Sequence, residues 1–283
     1  MRVLQLSDLH LGPEDHPDDL MRRANQRAWH HARQTAQQLK DRPDAASLVV
    51  VITGDLTDAG HSNPEEFAPV ADWIATLPGR VLAVPGNHDV GNFHSSRSGP
   101  TVDAQALTRW RQAMGPDWWS HAADGHRLIG LDSMIIGSGL PAEGNQHQWL
   151  ERELDDAQQA DESVWVFQHA PLFLREPDEV RSDREHYWCP AARDRDRMLA
   201  VLDRRIVKGF AHGHVHRRRD HRRDGRWWRS CPALSGTHSD ADYFIPQPGY
   251  VETHALPTWD LAGPRVEVGW EPSVVDPRTR FVS

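Results

Sequence analysis

Side chains that often bind metal ions follow several apolar runs of this sequence, each near the point where the run ends. These side chains are Asp8, His10, Asp55, Asn87, His88, His169, His214 and His216. Carboxylate, imidazole and amide groups are ligands that suit zinc, manganese or iron. A carboxylate can also bridge two cations, and two cations about 3.5–4 Å apart can stabilise the attacking and leaving oxygens of a phosphoryl transfer. The repetition of these residue types at run ends therefore indicates a site for two metal ions.

The apolar run at residues 48–52 is the clearest strand of the chain. Its five residues are aliphatic and mostly β-branched, which is typical of a parallel strand buried on both faces. Gly54 then breaks the strand, and Asp55 follows. Because ligands of open α/β sheets sit outside the carboxyl ends of the strands, Asp55 lies where a site is expected.

Strands and helices alternate along the chain in the order of β-α-β units, which predicts an α/β fold with parallel strands. The predicted strands are residues 2–6, 48–52, 80–84, 127–133, 163–168 and 206–211. The predicted helices are residues 19–41, 64–77, 101–114, 145–159 and 194–206. Residues 174–195 are charged and aromatic without a clear period, and they are expected to form a lid or rim loop.

The sequence changes character after His216. The pair Asp224-Gly225 is a strong hairpin signal between two runs that could be strands, and residues 250–256 and 265–270 resemble further strands. Antiparallel strands are therefore expected to follow the β-α units. Neither an internal repeat nor a linker interrupts the chain, so residues 1–283 are predicted to form one domain.

The composition excludes several classes of protein. The 38% hydrophobic and 26% charged content is ordinary for a soluble globular protein, and the net charge of −9 gives no general attraction for polyanions. Two cysteines are too few for a disulfide framework. There is no apolar run of 18 residues, and a charge at Asp8 comes too early for a signal peptide. The expectation is a cytoplasmic protein.

Five short motifs, read in order, resemble those of the calcineurin-like metallophosphoesterases. They are Asp8-Leu9-His10, Gly54-Asp55, Gly86-Asn87-His88-Asp89, His169 and Gly213-His214-Val215-His216. Each motif alone is common by chance, but five in this order at strand ends are specific. The resemblance implies a four-layer α/β/β/α sandwich with mixed sheets and a binuclear centre of manganese, iron or zinc.

The resemblance also implies a role for each motif residue. One metal would be held by Asp8, His10, Asp55 and His216, and the other by Asp55, Asn87, His169 and His214. Asp55 would bridge the two metals, and a metal-bound hydroxide would attack phosphorus. His88 would face the substrate phosphate as the catalytic residue without binding metal, and Asp89 would orient it.

Other polar groups are assigned structural roles. Thr57 and Asp58 are interpreted as loop structure, and His212 as a neighbour of the site rather than a ligand. His30-His31 lies on a predicted helix and is expected to face solvent. The arginine-rich hairpin at residues 217–229 is either a surface for phosphate or nucleic acid, or a solvated arm whose charges are offset by interspersed aspartates.

Beyond the ligands, the chain most resembles the bacterial class III cyclic-nucleotide phosphodiesterases. The matching stretches are Gly54-Asp55-Leu56-Thr57, Val84 to Asp89, Leu131-Asp132-Ser133, and Gln148-Trp149-Leu150 with Leu154. The expected function is hydrolysis of cyclic nucleotides or other small phosphodiesters. A phosphomonoesterase or a nuclease of the same superfamily is the alternative, and a non-catalytic scaffold is the alternative that is not an enzyme. A small phosphodiester is the expected partner. A membrane is not an expected partner, and nucleic acid is possible but not favoured. Whether the chain forms a homodimer is left open.

Overall fold

The computed structural model describes residues 1–179, 187–235 and 258–260. The strands are β1 Arg2–Leu6, β2 Leu48–Thr53, β3 Arg80–Val84, β4 Trp119–Ala123, β5 His126–Leu131, β6 Ser163–Gln168, β7 Val207–His212, β8 Arg219–Arg223, β9 Arg226–Ser230 and β10 Thr258–Asp260. The helices are α1 Asp19–Lys40, α2 Phe67–Ile74, α3 Asn87–Val90, α4 Ala104–Met114, α5 Pro141–Gln159 and α6 Ala192–Leu202.

The first sheet has four strands in the order β10-β1-β2-β3. Strands β1, β2 and β3 are parallel, and β10 pairs antiparallel with β1. All six residues of β2 are buried, as the unbroken apolar run predicts. Side chains alternate along this strand, so that Val49 and Val51 contribute to one core and Val50 and Ile52 to another.

The second sheet has six strands in the order β4-β5-β6-β7-β9-β8. Strands β5, β6, β7 and β9 are parallel, while β4 and β8 run antiparallel at the two edges. The hairpin turn at Asp224-Gly225 joins β8 and β9 as predicted. Strand β4 was not predicted, although Asp124-Gly125, with both residues at positive φ, is the same kind of two-residue hairpin signal.

The two sheets face each other through a core that both of them supply. Val3, Val51 and Val84 from the first sheet lie in one cluster with Trp165 and Phe167 from the second. The outer faces of the sheets are covered by helices, and buried residues of α1, α2 and α5 lie in one core cluster with residues of β2 and β6. Helices α1 and α2 are joined by the hydrogen bond from Trp73 Nε1 to the Ala32 carbonyl, and α5 contacts β6. The predicted α/β/β/α sandwich with mixed sheets is confirmed.

Several sequence predictions need correction. Helix α5 begins at Pro141 rather than at residue 145, and residues 64–77 form a 3-10 turn before the short helix α2. His31 was expected to face solvent but is buried, with Nδ1 3.1 Å from the Leu234 carbonyl oxygen. The predicted strands at 250–256 and 265–270 lie outside the described residues. No helix in the described ranges is long and apolar enough to cross a membrane.

Candidate metal centre

All seven predicted metal ligands meet where the carboxyl ends of parallel strands from both sheets converge. Strand β1 leads to Asp8 and His10, β2 to Asp55, β3 to Asn87, β6 to His169, and β7 to His214 and His216. Asn87 occupies the first turn of α3 rather than an open loop. Parallel strands place their carboxyl ends together, and for this reason residues far apart in sequence reach one site.

The first cluster consists of Asp8, His10, Asp55 and His216, whose ligand atoms all lie within 4.8 Å of one another. The Nε2 atoms of His10 and His216 are 3.2 Å apart. His216 Nε2 lies 3.3 Å from Asp8 Oδ1. These four residues are the set that the resemblance assigned to one metal.

The second cluster consists of Asp55, His169 and His214, again within 4.8 Å, and Asn87 completes it. His169 Nε2 lies 3.0 Å from Asn87 Oδ1 and 3.1 Å from His214 Nδ1. The other ring nitrogen of His169 donates to the Thr53 carbonyl at 2.8 Å, which turns Nε2 toward the cluster. This set matches the one assigned to the other metal.

One carboxylate belongs to both clusters. Asp55 Oδ2 lies 3.7 Å from His10 Nε2 and 3.3 Å from His169 Nε2. Asp55 Oδ1 accepts a hydrogen bond from the backbone N–H of His88 at 2.9 Å, which holds the carboxylate in this orientation. Asp55 therefore stands between the two groups, where a bridging ligand would have to be.

The backbone at these residues is unusual. Asp8, His10, Asp55, His214 and His216 all have φ between 47° and 67°, in the left-handed region. Residues other than glycine enter this region at a cost, and such strain concentrates at functional sites. The turn that follows each strand therefore directs the side chain into the cluster at the expense of local backbone energy.

Two glycines allow the close approach of these turns. A Cβ atom on Gly54 would lie 2.4 Å from the His169 ring, and one on Gly213 would lie 1.8 Å from Ser7 Oγ. Gly54 also has φ +87°, which other residues rarely adopt. The glycines in the G-D and G-H-x-H motifs are thus required for packing as well as for turning.

The electrostatics of the site suit cations. Burial raises the pKa of Asp8, but the interaction with His216 outweighs burial and lowers the pKa below its usual value. Burial also raises the pKa of Asp55, and the interaction with His169 outweighs it and holds the pKa well below its usual range. Burial lowers the pKa of His10 and of His214 to about 3, so both imidazoles are neutral at pH 7. Among the described residues, no lysine or arginine pairs with either buried carboxylate. Two buried carboxylates, with the neutral imidazoles of His10 and His214 beside them, fit a pair of metal ions.

His88 lies beside the first cluster, with its ring centroid 4.5 Å from that of His10. Its Nδ1 donates to the Asp58 backbone carbonyl, so Nε2 is the nitrogen left for a substrate. Burial lowers the pKa of His88, but the Asp55 carboxylate and this hydrogen bond reverse the effect and raise it. The imidazole is thereby favoured in its protonated form.

Asp89 does not orient His88 as the resemblance implied. Its carboxylate accepts hydrogen bonds from the N–H groups of Leu56, Thr57 and Gly86 and from the Thr57 hydroxyl. It acts on His88 only through its charge. Asp89 instead ties the turn after β2 to the turn after β3.

Two residues near the site were missed in the sequence. Asp58, interpreted there as loop structure, places its carboxylate in a cluster with His10 and His88. Tyr187 places its hydroxyl 3.4 Å from Asn87 Nδ2, and burial together with the charge of Asp55 raises its pKa to about 12. Asp58 could have been found from the sequence, because it closely follows the Gly54-Asp55 motif. Tyr187 gave no signal except that it is adjacent to Trp188 in a charged segment.

The remaining polar groups support the site from outside. Ser133 Oγ accepts the N–H of Ala170 next to His169, and the side chain of Gln146 holds both backbone groups of Asp132. Gln148, named in the resemblance, is exposed. His212 bonds the adjacent Gly213 carbonyl and belongs to neither cluster.

Comparison with known proteins gives the same family as the motifs. The calcineurin-like phosphoesterase family model matches residues 1–218. The chain is 32% identical over 177 residues to the serine/threonine-protein phosphatase CPPED1 of Danio rerio, covering 59% of this chain and 53% of the relative. It is 29% identical over 195 residues to the glycerophosphodiester phosphodiesterase GpdQ of Enterobacter lignolyticus, covering 63% and 58%.

A probable cyclic nucleotide phosphodiesterase of Rhodococcus erythropolis is 27% identical over 181 residues, covering 62% of this chain and 52% of that protein. The chain thus spans about half the length of the curated relatives it matches. Among solved structures, a purple acid phosphatase from yellow lupin aligns with a TM-score of 0.61 at 14% identity, covering 91% of this chain and 48% of that chain. This likeness shows the fold.

Proposed function

Since this chain belongs to the calcineurin-like phosphoesterase family, we propose that it is a binuclear metal-dependent phosphodiesterase that hydrolyses cyclic nucleotides or other small phosphodiesters. The observation that carries the proposal is the place of Asp55, whose Oδ2 lies between His10 Nε2 and His169 Nε2. A carboxylate shared by two sets of ligands is the arrangement that two metal ions require.

The proposed ligand sets follow from the two clusters. Asp8, His10, Asp55 and His216 would hold one ion, and Asp55, Asn87, His169 and His214 the other. When bound, the two ions supply positive charge that activates water and stabilises the phosphoryl group. The protein contributes buried, pre-oriented ligands, such as His169, whose Nδ1 is held by the Thr53 carbonyl.

His88 is proposed as the proton donor to the leaving group. Its Nδ1 is engaged by the Asp58 carbonyl, so Nε2 is the ring nitrogen that can give up a proton, and the Asp55 carboxylate raises the pKa of the ring. An alkoxide that leaves a phosphodiester needs such a proton, and a positioned general acid contributes about 10²–10⁴-fold in rate. The ring lies next to that of His10, one of the proposed metal ligands.

Two of the relatives, GpdQ and the Rhodococcus protein, are named as phosphodiesterases. Their names support a diester rather than a monoester as the proposed substrate of this chain. The phosphatase name of CPPED1 is the reason to keep a phosphomonoesterase as the second candidate. A nuclease is less favoured because the net charge is −9 and most described arginines of the hairpin are paired with acidic groups. A non-catalytic scaffold would have no need of a complete ligand set with His88 beside it.

The test is hydrolysis of bis-p-nitrophenyl phosphate and p-nitrophenyl phosphate with added Mn²⁺, compared with an EDTA control. We expect metal-dependent turnover, faster with the diester, and turnover of a cyclic nucleotide in the same preparation. Asp8→Asn serves as the inactive control, and His30→Ala, on the exposed side of α1, as the active one. Turnover of the monoester alone would favour the phosphatase, and the absence of all turnover would favour the scaffold.

The proposal extends to metal identity, domain organisation and location. Manganese, iron or zinc suit the mixed oxygen and nitrogen ligands, and elemental analysis of the purified protein distinguishes them. Strand β10 pairs with β1, which supports one domain over residues 1–283, and limited proteolysis tests it. A cytoplasmic location stays a prediction, and the oligomeric state stays open.

A further inference from the structure

Tyr187 contacts two residues of the second cluster through different atoms. Asn87 Nδ2 donates to its phenolic oxygen at 3.4 Å, and His214 Nε2 donates to its backbone carbonyl oxygen at 2.8 Å. Its ring centroid lies 5.0 Å from that of His214. The residue is therefore held against the cluster at both its backbone and its side chain.

The phenol is directed toward the site rather than away from it. Its oxygen accepts from Asn87 Nδ2, and the Oδ1 atom of the same amide lies 3.0 Å from His169 Nε2 in the second cluster. Trp188, the next residue, packs edge-on against Tyr187 at 4.9 Å and also lies over His214 at 5.1 Å. These contacts limit the rotation of the Tyr187 ring.

The hydroxyl has one hydrogen-bond capacity left. In the bond from Asn87 the phenolic oxygen is the acceptor, so its own proton remains to be donated. Within the described part of the chain, no hydrogen bond uses that proton. A fixed donor beside a metal-binding cluster suits an oxyanion.

We propose that the Tyr187 hydroxyl donates a hydrogen bond to a non-bridging phosphoryl oxygen of the substrate. The inference rests on the proposed function, since it takes the ligand to be a phosphate ester held at the second cluster. Tyr187 would then be a substrate-contacting residue, and Asn87 would fix the direction of its donor. A purely structural role, in which Tyr187 only orients Asn87, makes a different prediction for metal binding.

The test compares Tyr187→Phe, which removes only the hydroxyl, with the wild-type protein and with Trp188→Phe, which alters packing in the same segment. Metal content is measured first, by elemental analysis after dialysis. Binding of inorganic phosphate to the manganese-loaded proteins is then measured by calorimetry, and KM and kcat are measured with bis-p-nitrophenyl phosphate.

We expect Tyr187→Phe to keep both metals and to bind phosphate about tenfold more weakly, since a hydrogen bond to a charged acceptor contributes at least a factor of this size. The loss should exceed that in Trp188→Phe. Unchanged phosphate affinity would overturn the inference, and so would loss of metal in Tyr187→Phe, which would show action through Asn87. If the wild-type protein is active, either of these results overturns the role of Tyr187 and leaves the proposed function standing. If the wild-type protein shows neither metal-dependent turnover nor phosphate binding, the proposed function and the role of Tyr187 are both overturned.

Discussion

The Nδ1 atom of His88 donates a hydrogen bond to the backbone carbonyl of Asp58, and not to the carboxylate of Asp89 that follows it in sequence. A backbone carbonyl can only accept, so this contact keeps a proton on Nδ1 and leaves Nε2 to exchange the second proton. The turn after β2 therefore sets the tautomer of a residue that follows β3. This relationship supports the proton-donor role proposed for His88, and the role can be tested.

Replacement of His88 by alanine should slow a cyclic nucleotide by about 10²–10⁴-fold, because a ribose oxygen needs a proton on departure. Bis-p-nitrophenyl phosphate should lose much less, since nitrophenolate leaves without help. The measurement is kcat/KM across a series of leaving groups, with metal content checked in parallel and His30→Ala as the histidine control. An equal loss across the series would mean that His88 stabilises phosphoryl oxygens instead of donating a proton, and loss of metal would make it a ligand.

Replacement of Asp55 by asparagine should weaken both metal sites, because Asp55 Oδ2 faces His10 on one side and His169 on the other. Asn87→Ala should weaken mainly one site, since Asn87 Oδ1 contacts only the second cluster through His169. Metal equivalents per chain, determined after dialysis, distinguish the two variants. Two full equivalents retained in Asp55→Asn would contradict the shared position of this carboxylate.

Metal binding at neutral pH should release about one proton from His169. Burial lowers the pKa of His169, but the adjacent Asp55 carboxylate outweighs it and raises the pKa to about 9. The imidazole is therefore protonated at pH 7 in the metal-free protein and must lose that proton to bind a metal. His10 and His214, with pKa values of about 3, have none to release at this pH. Titration with Zn²⁺ in buffers of different ionisation enthalpy measures the proton count, and a count of zero at pH 7 would contradict the assignment.

Replacement of Asp132 by asparagine should stabilise the protein increasingly as the pH rises above about 4. Burial, aided by the Asp117 carboxylate, raises the pKa of Asp132 well above its usual value, and within the described residues its Oδ2 has no hydrogen-bond partner. The folded state thus binds the proton more tightly, so this stability is complete below about pH 4 and is lost as pH rises through the folded pKa. The difference should grow by about 1.4 kcal/mol per pH unit in that window.

Urea unfolding of the wild-type protein and Asp132→Asn at pH 4, 6 and 8 measures this difference. The two proteins should be closest in stability at pH 4, where the carboxyl is neutral in the folded state and only about half ionised in the unfolded state. A gap that stays constant across the three pH values would show that Asp132 is not responsible.

Reversal of charge in the arginine hairpin should affect large and small substrates alike. Arg218 and Arg229 lie near Asp220, and Arg226 pairs with Asp203, which supports a structural arm rather than a surface for polyanions. The exposed Arg222, stacked over Trp227, is the side chain to change to glutamate. KM for an oligonucleotide and for bis-p-nitrophenyl phosphate, each at several salt concentrations, is the measurement. A larger, salt-dependent rise for the oligonucleotide would reveal a phosphate-binding role.

The local features of the fold followed directly from the sequence. The aliphatic run of β2, the helix α1 and the hairpin at Asp224-Gly225 depend on contacts between near neighbours, and each was predicted with little error. The order of the metal-binding motifs was equally informative, because parallel strands must bring their carboxyl ends together whatever their separation in the chain. The sequence by itself thus determined the family, the two-sheet architecture and the set of residues that meet at the site.

Only the tertiary structure decided how those residues are oriented and what else reaches them. Tyr187 and Asn87 are separated by 100 positions, and no local pattern indicates that they touch. The position of His31 on a predicted helix suggested that its side chain faces solvent. In the structure the ring is buried and lies against the carbonyl of Leu234, 203 residues away. The partner of His88 proved to be a backbone carbonyl, which has no signature in any side chain. Such contacts depend on how separate elements pack, and hydrophobic periodicity and motif spacing do not encode that packing at the level of single atoms.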